Sequence, residues 1–175
     1  MERALPRRAS LGCGHGDPDF ILALRAKVGA QLLWLSGATA VVVRDGVEGE
    51  EVLLVKRSDS GYWSPVCGII DPGEEPHEAA VREAAEEAGV VVVAERLSWV
   101  SVTDVITYEN GDQTQYIDHT FRCRWLSGEP HPADGEATET RFFPAAALPP
   151  MPAVYADRVA VVLANRPEAW FGPLH

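Results

Sequence analysis

The sequence predicts an α/β protein in which a mixed β-sheet is covered by helices. Three observations lead there. β-Rich runs outnumber helical ones, and one strongly patterned helix sits between them near the middle of the chain. No repeat, low-complexity tract or obvious linker divides the 175 residues, a length typical of one domain with a core of its own.

The elements follow in order. Residues 17–30, DPDFILALRAKVGA, set Phe20, Leu22, Leu24 and Val28 beside charged positions, a modestly amphipathic helix behind an Asp-Pro start. It reads as part of an N-terminal helical extension, residues 1–35, ahead of a main domain at 36–170. The runs ATAVVVRD and EEVLLVKR, separated by GVEGE, predict a hairpin. After SDSGYW come a short strand, SPVCGII, and the turn DPGEEP; residues 76–88 then form the clearest helix of the chain. The stretch VVVVAERLSWVSVTDVITY is strand-like and broken by polar residues, and ENGD is a strong hairpin signal. Its return strand, QTQYIDHTFRCRW, alternates: Gln115, Ile117, His119, Phe121, Cys123 and Trp125 share one face, and Tyr116, Asp118, Thr120, Arg122 and Arg124 the other. The loop LSGEPHPADGEAT leads to the strand ETRFFP and a final helix within PAVYADRVAVVLANR.

Composition narrows the function classes. Hydrophobic residues make up 46% and charged residues 23% of the chain, the balance of an ordinary globular protein. No apolar run approaches the ~20 residues that cross a bilayer, and MERALPRRAS lacks the apolar core of a secretion signal, so no membrane partner is expected. Cys13, Cys67 and Cys123 are widely spaced and form no CxxC. They suggest neither a disulfide framework nor a zinc site, and point to a reducing cytoplasm. The formal net charge of -11 argues against a nucleic-acid polymer as partner. It is compatible with a small phosphorylated ligand, because a divalent cation can supply the missing positive charge.

The central helix raises the chemical question. At ~100° per residue, Ala80, Val81, Ala84, Ala85 and Ala88 form an apolar stripe that can lie on a sheet. Glu83, Glu86 and Glu87, at i, i+3 and i+4, are expected together on the opposite side, where like charges repel. A solvated acidic face carries such a pattern; so does a set of oxygen ligands for a hard divalent cation, with phosphates and water completing the shell. Arg82, beside them, can hold one glutamate in a bidentate pair. Gly89 stands where a helix stop is expected.

The longer pattern decides between these readings. From Gly68 the chain runs GIIDPGEEPHEAAVREAAEEAGV, with Glu74, Arg82, Glu83, Glu86, Glu87 and Gly89 at fixed spacing. This stretch resembles the Nudix box, the signature of the Nudix hydrolases, at every specified position. The flanking strand order also resembles that family's α/β/α sandwich, with a mixed sheet and a loop-helix-loop catalytic motif. The resemblance implies metal-dependent hydrolysis of the pyrophosphate bond in a nucleoside diphosphate linked to another moiety: ADP-ribose, a nucleotide sugar, a dinucleoside polyphosphate or a modified nucleoside triphosphate. It implies Mg2+ or Mn2+, held by Glu83, Glu86 and Glu87 with the carbonyl of Gly68 as a further ligand, and a supporting ion pair between Arg82 and Glu74. Many relatives enter the box through Pro-Gly-Gly, whereas this chain reads PVCG; Cys67, next to the expected metal loop, is assigned a packing role.

The proton acceptor for the attacking water is less defined. Glu86 is the candidate inside the box, but members of the family also draw their base from a loop outside it. Here PADGEATE offers Asp134, Glu136 and Glu139, and Glu136, central in the loop, is the choice. Candidate substrate contacts are Arg57 for a phosphate, Trp63 (with Tyr62) for stacking on a base, and Asp118 for bonds from a sugar or base; each has an ordinary structural alternative. His119 is expected to be a hydrogen-bonded core residue. Tyr108 resembles in position a tyrosine of dinucleoside-polyphosphate hydrolases. A nucleotide-sensing module of the same fold, without hydrolysis, is the competing reading; the retained glutamates favour the enzyme. The resemblance and the extra N-terminal helix also imply a homodimer.

Overall fold

The computed structural model describes residues 18–108 and 110–173. MERALPRRAS, Cys13 and Glu109 of the ENGD turn lie outside the described residues. Helix α1, Asp19–Val28, is followed by strand β1, Leu33–Gly46, and by β2, Gly49–Arg57. The short strands β3, Trp63–Ser64, and β4, Val66–Ile69, flank Pro65, which has no N–H to donate to a ladder. Helix α2 spans Pro76–Ala88, the range the sequence predicts, with Pro at its start and Gly89 at its end in the left-handed conformation, φ 66°. Then come β5, Val91–Val102; β6, Ile106–Thr107; β7, Gln113–Ser127; β8, Ala137–Pro144; α3, Ala153–Leu163; and β9, Trp170–Phe171.

One mixed sheet runs β3-β2-β1-β7-β5-β9, with β4 also on β1, β6 on β7 and β8 on β2. The predicted β1–β2 hairpin is present, Val43 facing Val52 and Gly46 facing Gly49. β1 and β7, distant in sequence, pair in parallel from Leu33–Thr114 to Val43–Arg124, and β5 lies antiparallel on the other side of β7. β1 and β7 are therefore central, and helices cover both sheet faces. On one face α2 presses Ala79, Ala80, Ala84 and Ala88 onto Ala40, Val42, Leu53, Phe121 and Cys123. On the other, Val159 and Val162 of α3 meet Val41, Val43, Val52 and Leu54. Alanines let α2 sit close to the sheet, so side chains at its edge also become buried. The result is an α/β/α sandwich.

Three expectations change. In α1, Leu22, Leu24 and Val28 are exposed, and Ile21 instead is buried, at 2% exposure, against Leu35, Ile69, Ile106 and Tyr116. The helix is tied down by Arg25, which donates to the carbonyls of Gly29, Gln31 and Gln113. In β7 the face that carries Asp118, expected to meet a sugar or base, is a buried one: Tyr116, Asp118 and Thr120 are all enclosed, because a central strand has no solvent side. In α2 the buried residues are Ala79, Ala80, Ala84, Glu87 and Ala88, while Ala85 is exposed. Glu87 therefore lies within the buried arc rather than opposite it. No helix among the described residues is long and apolar enough to cross a membrane.

Candidate active site

The loop from β4 to α2 and the first turns of α2 form one hydrogen-bonded unit around Arg82. Its Nε and Nη2 donate to the two carboxylate oxygens of Glu74 at 2.8 and 2.9 Å, a bidentate pair. Nη2 also reaches the Ile69 carbonyl at 3.1 Å, and Nη1 is shared between Glu83, at 2.8 Å, and Glu86, at 2.9 Å. Glu74 in turn accepts from the Asp71 N–H, closing the loop. The hydrogen bonds from Arg82 hold the Glu74 carboxyl below the usual carboxylate range. The expected Arg82–Glu74 pair is thus present in this structure, and Arg82 additionally contacts two of the three box glutamates.

A side chain at position 68 would displace Glu83. The Glu83 carboxylate lies across the Gly68 Cα, and a Cβ there would stand 1.9 Å from Glu83 Oε1. The pairing of Gly68 with Ala38 of β1 fixes that approach from the sheet side. Glu83 is mostly enclosed, and burial pushes its carboxyl up to about 7 despite the neighbouring Arg82. Glu87 is 3% exposed, and Glu87 Oε1 is buried without a hydrogen-bond partner. Burial raises its carboxyl well above the ordinary value; Glu83, Glu136 and Asp134 add to the rise, and Arg57 opposes it. Glu86 is the exposed member of the three.

A buried acidic oxygen with no donor, set among further carboxylates, is a costly arrangement unless a cation shares the site. The donor set is hard oxygen throughout, as Mg2+ or Mn2+ requires. These residues fit such an ion. Among the described residues no three side chains already converge as a coordination group, and Glu83 and Glu86 are turned onto Arg82.

The loop from β7 to β8 brings its acids to the same place. Ala133 N donates to the Glu87 carbonyl at 3.2 Å, and Ser58 N donates to the Glu136 carbonyl at 2.9 Å, so the loop spans from the end of α2 to the end of β2 across Glu87. Glu136 N donates to Asp134 Oδ1. Glu136 is near enough to raise the proton affinity of both Glu83 and Glu87. Glu139 points elsewhere, into a pair with Lys56.

The three candidate substrate contacts stand differently from one another. Arg57 is 5% exposed and paired in bidentate fashion with Asp59, so it is a buried cation behind the acidic cluster rather than an open phosphate receptor. Trp63 packs edge-on against Phe143, with ring centroids 4.8 Å apart, on the α3 side of the sheet and thus away from the glutamates. Asp118 accepts from Thr39 and Thr120 at 2.9 and 2.8 Å, forms an ion pair with Arg158 at 3.2 Å and is 3% exposed. It lines a narrow cleft with Gly37, Cys67, Gly68, Tyr116 and Arg158, but its oxygens are already engaged by the protein. Cys67 is buried, its thiol pushed up to about 12 by burial, in keeping with packing. His119 Nδ1 bonds the Gly37 carbonyl. The Tyr108 hydroxyl joins Thr114 and Tyr116 beside α1. Sequence inspection passed over Asp59 and Arg158; an Arg-x-Asp spacing could have suggested the first, whereas no local signal marks the second.

Comparison with known proteins agrees with this architecture. The model of the NUDIX domain matches residues 35–164. The NAD-capped RNA hydrolase NudC of Pseudomonas aeruginosa is 32% identical over 111 residues, 60% of this chain and 36% of that protein. The dihydroneopterin triphosphate diphosphatase of Escherichia coli is 34% identical over 58 residues, 33% of this chain and 39% of the relative. The chain thus spans little more than a third of the length of these curated relatives. Among solved structures, an ADP-ribose pyrophosphatase of Streptococcus suis superposes with a TM-score of 0.58 at 22% identity, covering 82% of this chain and 98% of the other. One relative's name includes an RNA; net charge describes this chain's own surface and says nothing of the substrates of its relatives.

Proposed function

The chain belongs to the Nudix family, and from that premise we propose that it hydrolyses the pyrophosphate bond of a nucleoside diphosphate linked to a second moiety. The observation that carries the proposal is the buried, partnerless Glu87 Oε1 beside Glu83, in a box whose Arg82–Glu74 pair is fully formed. Glu83, Glu86, Glu87 and the Gly68 carbonyl are the groups that would hold a divalent cation. When bound, Mg2+ or Mn2+ supplies polarisation of phosphoryl oxygens and a lower pKa for water.

The chain's own residues do the rest. Arg82 fixes the angle between loop and helix through Glu74, and so sets where Glu83 and Glu86 stand. Water attacks one phosphorus, the anhydride P–O bond breaks with its electron pair leaving on the departing phosphate, and the water's proton passes to a carboxylate. We assign that acceptor to Glu136, with Glu86 as the candidate inside the box; the influence of Glu136 on Glu83 and Glu87 supports the assignment. A small nucleotide derivative is the substrate class. The buried thiols of Cys67 and Cys123 support a cytoplasmic location, and a homodimer remains part of the proposal, to be checked by light scattering.

The test is a screen of nucleoside diphosphate derivatives for phosphate or nucleotide release, with Mg2+ and with EDTA. Metal-dependent release by the wild type, lost in Glu83→Gln and Glu87→Gln, is expected. Tight nucleotide binding without turnover across the whole screen would favour a sensor instead.

A further inference from the structure

The loop that carries Asp134 and Glu136 is fastened to the C-terminal end of α2 by contacts that no part of the box describes. The last turn of a helix leaves carbonyls without partners. Here His131 N donates to the Ala88 carbonyl at 3.1 Å and Ala133 N to the Glu87 carbonyl at 3.2 Å, so loop amides continue the helix's hydrogen bonding. The His131 ring then lies directly over Gly89. A Cβ at Gly89 would stand 2.2 Å from His131 Cε1, and Gly89 already needs the left-handed conformation, φ 66°. His131 Nδ1 is 2.9 Å from the Glu129 carbonyl; a carbonyl only accepts, so Nδ1 carries the proton and the ring is fixed by its own loop. At the loop's start Gly128, φ 95°, is pressed against the same helix end, where a Cβ would lie 2.7 Å from the Gly89 carbonyl oxygen.

We propose that His131, seated on Gly89, is a positioning residue that holds the Asp134–Glu136 segment against the end of α2, and so sets the place of Glu136 relative to Glu83 and Glu87. The inference rests on the hydrolase reading only for its effect on turnover. The fastening itself is a property of the fold, and it has a separate readout. It explains why the helix stop is a glycine with no room above it: the space a side chain would take is filled by the ring. It also links the cluster's two sources of carboxylates, a helix and a loop some forty residues further along the chain, through one patch of contacts at the helix end.

Amide hydrogen exchange and kinetics on His131→Ala, His131→Asn and Gly89→Ala test this on the full chain. In His131→Ala the amides of Ala133 and Glu136 should exchange about tenfold faster, while those of Ala84 to Ala88 inside α2 keep their protection. kcat should fall about tenfold with KM within about twofold of the wild type, because only the reacting geometry is disturbed. His131→Asn, which can still donate to the Glu129 carbonyl, should recover most of both losses. Combining Gly89→Ala with His131→Ala should cost little more than Gly89→Ala alone, since each breaks the same contact. Unchanged loop exchange in His131→Ala, or full additivity in the double variant, overturns the proposal. A wild type that hydrolyses nothing would count against the hydrolase reading, and the exchange data would still decide on the fastening.

Discussion

Glu83 and Gly68 occupy each other's space: the carboxylate fills the volume that a side chain at 68 would take, with Oε1 1.9 Å from where a Cβ would be. The obstacle is the end of a flexible side chain rather than backbone, so Gly68→Ala can fold by moving Glu83 aside. We expect a loss of stability of only about 1 kcal/mol, in the range of mild overpacking, and a fall in metal-dependent turnover of about a hundredfold. Melting curves and initial rates on one preparation check this; an equal loss in both would mean that Gly68 serves packing alone.

Glu87→Gln separates stability from function in the opposite direction. Its carboxyl is buried, lacks a donor on Oε1, and is raised well above the ordinary range by burial. Without divalent cation at about pH 8, the neutral amide should raise Tm by a few degrees, the equivalent of roughly 1 kcal/mol in a domain of this size. The stabilisation that Mg2+ gives the wild type should shrink. A lower Tm in EDTA would show that the charged form is satisfied in a way the structure does not reveal.

The pH dependence of the metal-free protein has a definite sign. Glu83 is pushed up to about 7 from 4.5, and Glu87 upward as well, burial being the first cause for both. A folded-state pKa above the unfolded one means that the folded chain holds the proton more tightly. The contribution is therefore complete below about 4.5 and lost as pH rises through about 7. In EDTA, Tm should fall across this window by more than it does in Glu83→Gln, and added Mg2+ should restore more stability at about pH 8 than at about pH 5. Parallel melting profiles for wild type and variant would sink the idea.

Arg82→Lys keeps the charge and loses the fork. The ammonium cannot bond both Glu74 oxygens while also reaching Glu83, Glu86 and the Ile69 carbonyl. We expect a loss of about 1–2 kcal/mol by denaturant titration, since the pair is partly exposed, and a larger proportional loss of kcat than of stability.

Asp118→Asn should be the most destabilising of these changes. The side chains of Asp118 and Arg158 are 5% and 3% exposed, and the substitution leaves the guanidinium in the interior without its counter-charge. The cost is about 3–5 kcal/mol, read from urea unfolding. A variant of near-normal stability would mean that Asp118 is free to face a ligand after all.

Much of this protein is encoded by near neighbours. Pro76 and Gly89 bracket α2, the alanine spacing gives it a face for the sheet, and the two-residue turn after Gly46 closes the β1–β2 hairpin. The spacing of Gly68, Glu74, Arg82, Glu83 and Glu86 brings those residues together, because no contact in that unit spans more than the loop and the first turns of α2. Helical and strand periodicity act over a few residues, and a sequence shows them directly.

The tertiary structure decided which of those faces met water. Glu87 became buried because α2 lies close enough to the sheet to enclose its edge. Trp63 went to the opposite sheet face from the glutamates, where it packs on Phe143. Asp118 was taken by Arg158, because its central strand, closed on both sides, has no solvent face to offer. Arg158 reaches Thr39 from 119 positions away, and His131 meets Gly89 across all of β5 to β7. Contacts at that range depend on how whole elements stack, and stacking is settled by the summed burial of the core rather than by any short run of residues.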